Sequence, residues 1–361
     1  MTYNYIPLEE SDTNSTQLSS NRSSRFIGWW GIGVVRFENK YCRTADGLDG
    51  TCYTRRQCRE IDGTYSGLCA GTIGRCCTIQ RGCGSSSSDN NTYFVNRNYP
   101  LPVTGSSTCT YVIKKCHPEI CQVRIDFLSF NIAYPNGIGQ CIYDSMKITG
   151  AGHVVRPICG DNSGQHMYLS FLDDNDITIT IGTTGTNDLA RSWYLKVAQI
   201  GCDSPSRAPD GCLQYYADLT GTVTSFNYGR TRSGSNIAPD QPGTREIANQ
   251  EYGICVRAAP GYCSIRWTET SAGSFAVSGN SALMEALTDC TADYVLIPNG
   301  INEDGEMIDR YCGSTFGTVT SSSKPFVLYY RTDSTEVLGE TGNLGFSLDY
   351  TQVRCNPLSV Y

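Results

Sequence analysis

The run Asp161-Asn162-Ser163-Gly164-Gln165-His166 places an acid, a serine and a histidine together, directly after Cys159-Gly160. A serine nucleophile of the protease type needs Asp-Ser-Gly in direct succession, so that backbone amides flank the serine and form an oxyanion hole. Here Asn162 interrupts that order, and neither His117 nor His153 has the surroundings of a catalytic base. The run therefore reads as a loop after a bridged cysteine, and the chain is not expected to be an enzyme. A divergent hydrolase acting through Ser163 is kept as the last alternative. Asp173-Asp174-Asn175-Asp176 has the acids of a calcium loop, but the turn glycine and distal glutamate that such a loop needs are absent. It reads as a turn between strands.

The cysteines are the larger chemical signal. Nineteen occur in 361 residues, in two rhythms. Cys42, Cys52, Cys58, Cys69, Cys76 and Cys77 follow the spacing C-x9-C-x5-C-x10-C-x6-C-C, and the others are spread thinly from Cys83 to Cys355. Such a load is sustained only in an oxidising compartment, so the protein is expected to be secreted. Zinc is the alternative for the dense segment, but it lacks the C-x2-C pairs and histidine that zinc sites use. Adjacent Cys76 and Cys77 have Cα atoms about 3.8 Å apart, short of the roughly 4.4 Å minimum of a disulfide. They must bond to different partners. Cys116 and Cys121 are close enough in sequence for a local loop. A Cys202–Cys355 bond is a further expectation, and the odd total leaves one cysteine free or intermolecular, with an oligomer as one consequence.

With 28 basic and 35 acidic residues the formal charge is -7, and no basic run occurs, which argues against nucleic-acid binding. No stretch is long and apolar enough to span a bilayer; the strongest, Phe26 to Phe37, is broken by glycines and bounded by Arg25 and Arg36. Met1 to Ser24 is polar and does not read as a secretory signal. The expectation is that the chain starts at a misplaced Met, lacks its true N-terminus, or was processed. Asn14, Asn21 and Asn90 head triplets that could carry N-linked sugar.

The elements that must position these groups are short strands. Asp176 to Ile181 alternates, setting Ile177, Ile179 and Ile181 on one face, and Val123, Ile125 and Phe127 alternate likewise, as do Phe346, Leu348 and Tyr350. Glycine (37 residues), tyrosine (23) and only 17% charged residues suit antiparallel sheets joined by tight turns. No helical period persists. From Cys83 on, the order recurs: Cys83, Cys109, Cys141-Ile142-Tyr143-Asp144, Cys159-Gly160 and Trp193 to Val197, then Cys212, Cys263, Cys290-Thr291-Ala292-Asp293-Tyr294, Cys312-Gly313 and Gly345 to Tyr350.

This double pattern, with Asn98-Tyr99-Pro100 and Asn227-Tyr228 after the first cysteine of each copy, resembles the CUB domain. The segment from Cys42 to Cys77, with its opening Cys42-Arg43-Thr44 and Gly50-Thr51-Cys52, resembles the clip domain of arthropod secreted proteins. The combination resembles an arthropod secreted CUB domain-containing protein. It implies an all-β fold of two jelly-roll-like antiparallel β-sandwiches preceded by a small disulfide-rich module. The boundaries expected are a disordered arm over 1–24, an apolar segment packing on the body over 25–41, the clip-like knot over 42–77, a first CUB domain over 78–203 and a second, divergent one over 204–361. By resemblance the knot pairs Cys42 with Cys76, Cys52 with Cys69 and Cys58 with Cys77. The repeats pair Cys83 with Cys109, Cys141 with Cys159, Cys212 with Cys263 and Cys290 with Cys312.

Many CUB domains bind calcium through a glutamate, the aspartate of Cys-x-x-Asp and a later aspartate. In the first copy Asp144 matches, but Ala133 and Thr183-Thr184 stand at the other two places, so no calcium is expected there. In the second copy Glu285, Asp293 and Asp333 match, with Tyr228 as a supporting phenol, and calcium is the one cofactor the resemblance implies. Ordinary solvated acids are the plainer reading of those three residues. Neither module type does chemistry, which implies a non-catalytic extracellular protein that binds protein or glycan partners, in protease-cascade regulation or immunity. A structural, matrix-associated protein is the alternative.

Overall fold

The structure is a computed structural model that describes residues 39–185, 189–229, 245–278, 290–334 and 343–355. The arm expected over 1–24 and nearly all of the apolar segment over 25–41 lie outside the described residues. The chain divides into two compact units, Met1–Cys77 and Thr78–Tyr361.

The first unit is a disulfide knot on a small sheet. Strands β1 (Tyr41–Arg43), β2 (Asp49–Tyr53) and β4 (Gly74–Arg81) lie side by side, and β3 (Thr64–Cys69) pairs with β4. One six-residue helix, α1 (Arg55–Glu60), interrupts them; Thr54 opens it through a capping box with Gln57, a local signal that a search for periodicity misses. Consecutive side chains of a strand point to opposite faces, so Cys76 bonds Cys42 while Cys77 reaches Cys58 in α1, and Cys52 bonds Cys69. Their Cα separations of 5.7, 5.8 and 6.0 Å are ordinary. The knot leaves no room for a side chain at Gly63 or Gly74: a Cβ there would lie 2.4 Å from Cys77 Sγ or 2.5 Å from Cys52 Sγ.

The second unit holds two β-sandwiches of the same plan. In the first, β5 (Ser85–Ser87), β7 (Ser107–Ile113), β11 (Ile177–Thr183) and β9 (Asp144–Thr149) form one sheet in that order. The facing sheet runs β6 (Thr92–Val95), β12 (Ser192–Gly201), β8 (Ile120–Asn131) and β10 (His166–Ser170). The second sandwich repeats this with β13 (Cys212–Tyr216), β15 (Glu251–Val256), β21 (Phe326–Arg331) and β18 (Tyr294–Leu296), extended by β19 (Arg310–Tyr311). Its facing sheet is β14 (Thr220–Thr224), β22 (Gly345–Arg354), β16 (Tyr262–Glu269) and β20 (Thr318–Ser321), with β17 (Phe275–Ala276) on β22. The alternating runs supply the cores: Ile177, Ile179, Ile181, Val123, Ile125, Phe127, Phe346 and Leu348 are fully buried. Each such side chain contributes about 1.5–3 kcal/mol of transfer free energy.

The strand order corrects the cystine pattern. Cys83–Cys109, Cys141–Cys159 and Cys290–Cys312 are bonded, but Cys212 bonds Cys255, not Cys263. The reason is the sheet: β13 runs parallel to β15, with Tyr215 opposite Cys255, just as β5 runs parallel to β7. Cys263 lies on β16 in the opposite sheet, where Tyr262 faces Arg354 of β22, and it bonds Cys355 rather than leaving Cys355 for Cys202. The first sandwich has the same third bond: Cys121 on β8 takes Cys202, because Ile120 faces Gly201 of β12. The Cα separation is 4.8 Å in both. The expected Cys116–Cys121 loop and Cys202–Cys355 bond are therefore absent, and the free cysteine is Cys116, which is exposed.

Those third bonds close long stretches of chain, 81 and 92 residues, and so restrict the unfolded chain most. Converting Cys263 and Cys355 together to serine is expected to cost about 2–5 kcal/mol, read as a fall in the urea midpoint. An unchanged midpoint would contradict the pairing.

Candidate functional site

The run that opened the sequence reading is an internal joint. Its members bond the second sandwich one after another. Asp161 N–H donates to Asn227 Oδ1 (3.1 Å), and Asn227 N–H donates to Asn162 Oδ1 (2.8 Å). Gln165 Nε2 donates to Thr224 Oγ1 and to Ser225 O, each at 2.8 Å. His166, at the start of β10, accepts at Nε2 from Tyr215 N–H at 3.1 Å. Burial, with the Arg124 charge adding to it, lowers the His166 pKa to about 3, so the ring is neutral and can accept that bond. Ser163 does not face a base: its hydroxyl accepts from Phe130 N–H at 3.0 Å.

Apolar and aromatic contacts complete the joint. Phe127 meets Phe226 edge-on, Tyr168 meets Tyr215, and the Arg245 guanidinium lies 4.3 Å over the Tyr134 ring. A backbone bond from Ala248 N–H to Gly139 O (2.8 Å) and a side-chain bond from Gln250 Nε2 to Pro157 O (3.0 Å) widen the seam. The connector is pinned too, since Ala208 N–H donates to Gln122 Oε1 at 2.8 Å. Gly160, at φ 80°, is obligatory: a Cβ there would lie 2.0 Å from Asn227 Oδ1.

The acidic positions occupy equivalent places in the two sandwiches. In the first, Asp144 opens β9, Ala133 follows β8 and Thr184 follows β11. Ala133 N–H donates to Asp144 Oδ2 (2.8 Å) and Thr184 N–H to Oδ1 (3.0 Å). Arg191 fills the remaining direction, with Nε at 2.8 Å from Oδ2 and Nη2 at 3.3 Å from Oδ1, both side chains wholly buried. A calcium ion needs six to eight oxygens, and this carboxylate meets N–H donors and a guanidinium instead. The residues do not fit the ion.

In the second sandwich Asp293 is buried just before β18, and Asp333 follows β21. Asp333 N–H donates to Asp293 Oδ1 at 2.7 Å, the counterpart of the Thr184 to Asp144 bond. This bond sets Asp333 beside Asp293. Glu285 lies outside the described residues. Among the described residues no group of three His, Cys, Asp or Glu side chains is placed to hold a metal ion. Buried Glu246 accepts from the Tyr330 hydroxyl, whose pKa burial and then the Glu246 charge raise well above the ordinary value. Tyr228 is half-buried in the joint, where its carbonyl accepts from Arg245 Nη2 at 3.3 Å.

Asn90 spends its amide on the first sandwich: Oδ1 accepts from Gln199 N–H (2.7 Å) and Nδ2 donates to Gln199 O (3.3 Å). Asn14 and Asn21 lie outside the described residues. Asp173, at φ 50°, sits in the turn between β10 and β11, as the acidic run implied. Arg191 and Glu246 escaped sequence reasoning, because single charged residues next to strands carry no motif.

Two family models match this chain: that of the CUB domain over residues 83–195 and that of the animal CUB domain over 209–353. Human cubilin is 23% identical over 264 residues, covering 70% of this chain and 6% of cubilin, and pig cubilin is 22% identical over 272 residues. The chain therefore spans a small fraction of these curated relatives. Among solved structures, the CUB1-EGF-CUB2 domains of rat MASP-1 match at 15% identity with a TM-score of 0.27, covering 76% of this chain and 99% of that one. The MASP-1 CUB2 domain bound to Ca2+ matches at 22% identity, also with a TM-score of 0.27, covering 32% and 98%. CUB domains are typically extracellular protein-interaction modules. With two matches that together span more than two thirds of its length, the chain belongs to the CUB-domain family and carries two such domains in tandem.

Proposed function

We propose that this chain is a secreted, non-catalytic protein that binds extracellular protein or glycan partners through its tandem CUB domains and its clip-like knot, in protease-cascade regulation or immunity. The observation that carries the reading is the joint. Ser163 and His166, the groups a hydrolase would need, are bonded to backbone atoms, and Asn162, Gln165 and His166 hold the second sandwich against the first. A pair of sandwiches joined in this way offers a partner a fixed surface rather than a reaction centre. Its loops, clustered at the sandwich ends, are the natural contact surface.

Capture on the immobilised full chain from extracellular fluid, read by mass spectrometry, tests this. A specific partner lost after His166→Ala, with the cystines intact, supports the reading. Recovery of no specific species, or turnover abolished by Ser163→Ala, overturns it. Sugar at Asn14, Asn21 and Asn90 belongs to the same proposal and is checked by the mass lost on glycosidase treatment.

Calcium in the second domain, held by Glu285, Asp293 and Asp333, is part of the reading. The Asp333 to Asp293 bond supports it, because it brings two of the three acids together. Asp293→Asn is expected to weaken calcium binding at least tenfold in a calorimetric titration of the full chain, a loss of about 1.4 kcal/mol or more. Equal affinities in the two proteins would rule the site out.

The alternative, a matrix-associated structural protein, is favoured by one observation, the exposed free Cys116. Reducible dimers on non-reducing gels that vanish in Cys116→Ser would support it, and monomer alone would dismiss it.

A further inference from the structure

We infer that the first CUB domain carries its own cation: the Arg191 guanidinium stands in for a metal ion at Asp144, so this domain's loop end is set without calcium. The carboxylate is held by Ala133 N–H and Thr184 N–H and by Arg191 Nε and Nη2. The guanidinium in turn donates from Nη1 to Leu189 O and from Nη2 to Thr184 O, both at 2.9 Å. Its backbone is fixed as well, exchanging bonds with Val103 at 2.8 and 2.9 Å. One ion pair therefore ties together the chain after β8, the start of β9, the end of β11 and the entry to β12. Those are separate loops at one end of the sandwich, and gathering them is the work a multidentate cation does. Both side chains are fully buried. A divalent ion could approach Asp144 only by displacing a guanidinium with four directional bonds, in a medium where like charges repel strongly.

The second domain differs at the matching position. Arg191 immediately precedes β12, two residues before its first inward aromatic, Trp193. Leu344 immediately precedes β22, two residues before Phe346. At the corresponding place the second domain has a side chain with no charge to offer Asp293. The two domains thus differ at this position: arginine in the first, leucine in the second. This inference concerns the first domain alone and stands whether or not the second binds calcium.

Hydrogen exchange of the full chain, followed by mass spectrometry in millimolar calcium or in chelator, tests it. Peptides covering 131–146 and 183–193 are expected to exchange at the same rate, within about twofold, in the two conditions, because no metal contributes there. In Arg191→Ala the same peptides are expected to exchange about a hundredfold faster or more, since a buried carboxylate has lost its counter-charge. Loss of protection in the native chain on chelation would overturn the inference, as would an Arg191→Ala protein with unchanged exchange. Should that variant fail to fold, the native comparison alone still decides. Peptides covering 290–296 and 331–334 report separately on the second domain, so failure of the calcium reading there is not confused with failure here.

Discussion

Replacing Asp144 with alanine is expected to destabilise the full chain by about 3–5 kcal/mol, which is the usual cost of leaving one partner of a buried ion pair without the other. Arg191 is completely buried and directs three of its nitrogens at Asp144, Thr184 O and Leu189 O. Removing the carboxylate strands a charge that cannot lose its proton at any physiological pH. Arg191→Met is expected to cost a similar amount from the other side, because Asp144 would keep only its two N–H donors. The double variant Asp144→Ala/Arg191→Met removes both charges, and its cost should fall short of the sum of the single costs by about 2 kcal/mol or more. Urea unfolding of the four proteins measures this directly. Additive costs would mean that the pair contributes no coupling and that the loop end is held by its cystine and backbone bonds alone.

Much of the architecture was legible because alternation and cysteine order are repeated signals. Ile177, Ile179 and Ile181 announce one inward face, and Cys141 to Cys159 and Cys290 to Cys312 announce the same corner twice. The pairings that failed were those that depend on which strands are neighbours. Cys255 and Cys263 lie eight positions apart, and only the parallel pairing of β13 with β15 decides that Cys212 meets the former. Cys116 and Cys121 were near in sequence, yet strand neighbours separated by 81 residues took precedence. Among the acids, Asp144, Asp293 and Asp333 stand out in sequence through a local motif and its spacing. Arg191 was not, because its role depends on a bond between loops that no single segment encodes. Likewise the run holding Asn162, Gln165 and His166 reads in sequence only as a loop after a bridged cysteine, because their partners, Asn227, Thr224 and Tyr215, lie 49 to 65 residues away.

The joint makes a second strong prediction, on pH. His166 is buried against Tyr215, Tyr216 and Tyr168, with the Arg124 charge nearby, and its pKa is lowered from 6.5 to about 3. In the unfolded chain the ring regains an ordinary pKa near 6.5. The unfolded state therefore takes up a proton that the folded state refuses, and stability falls as pH drops below about 6.5 and levels off near 3. Above that window the contribution is fully present. Each pH unit inside it costs about 1.4 kcal/mol, so about 3 kcal/mol is lost between pH 7 and pH 4. Buried Tyr168 and Tyr216, whose pKa values desolvation raises, stay neutral throughout and add nothing to the slope. His153, lowered in the same direction by burial, adds a smaller part of the same sign. Protonating His166 Nε2 would end its acceptance from Tyr215 N–H, and donation to Tyr215 O, 3.0 Å away, would offset only part of the cost of a buried cation. The loss should therefore concentrate at the joint: acid should expose the seam between the two sandwiches to exchange before it unfolds their cores. His166→Gln keeps an acceptor for Tyr215 N–H but cannot titrate, so its urea midpoint should vary far less over the same range. If the native protein and His166→Gln lose stability in parallel from pH 7 to pH 4, the histidine is not the acid-sensitive element of the joint.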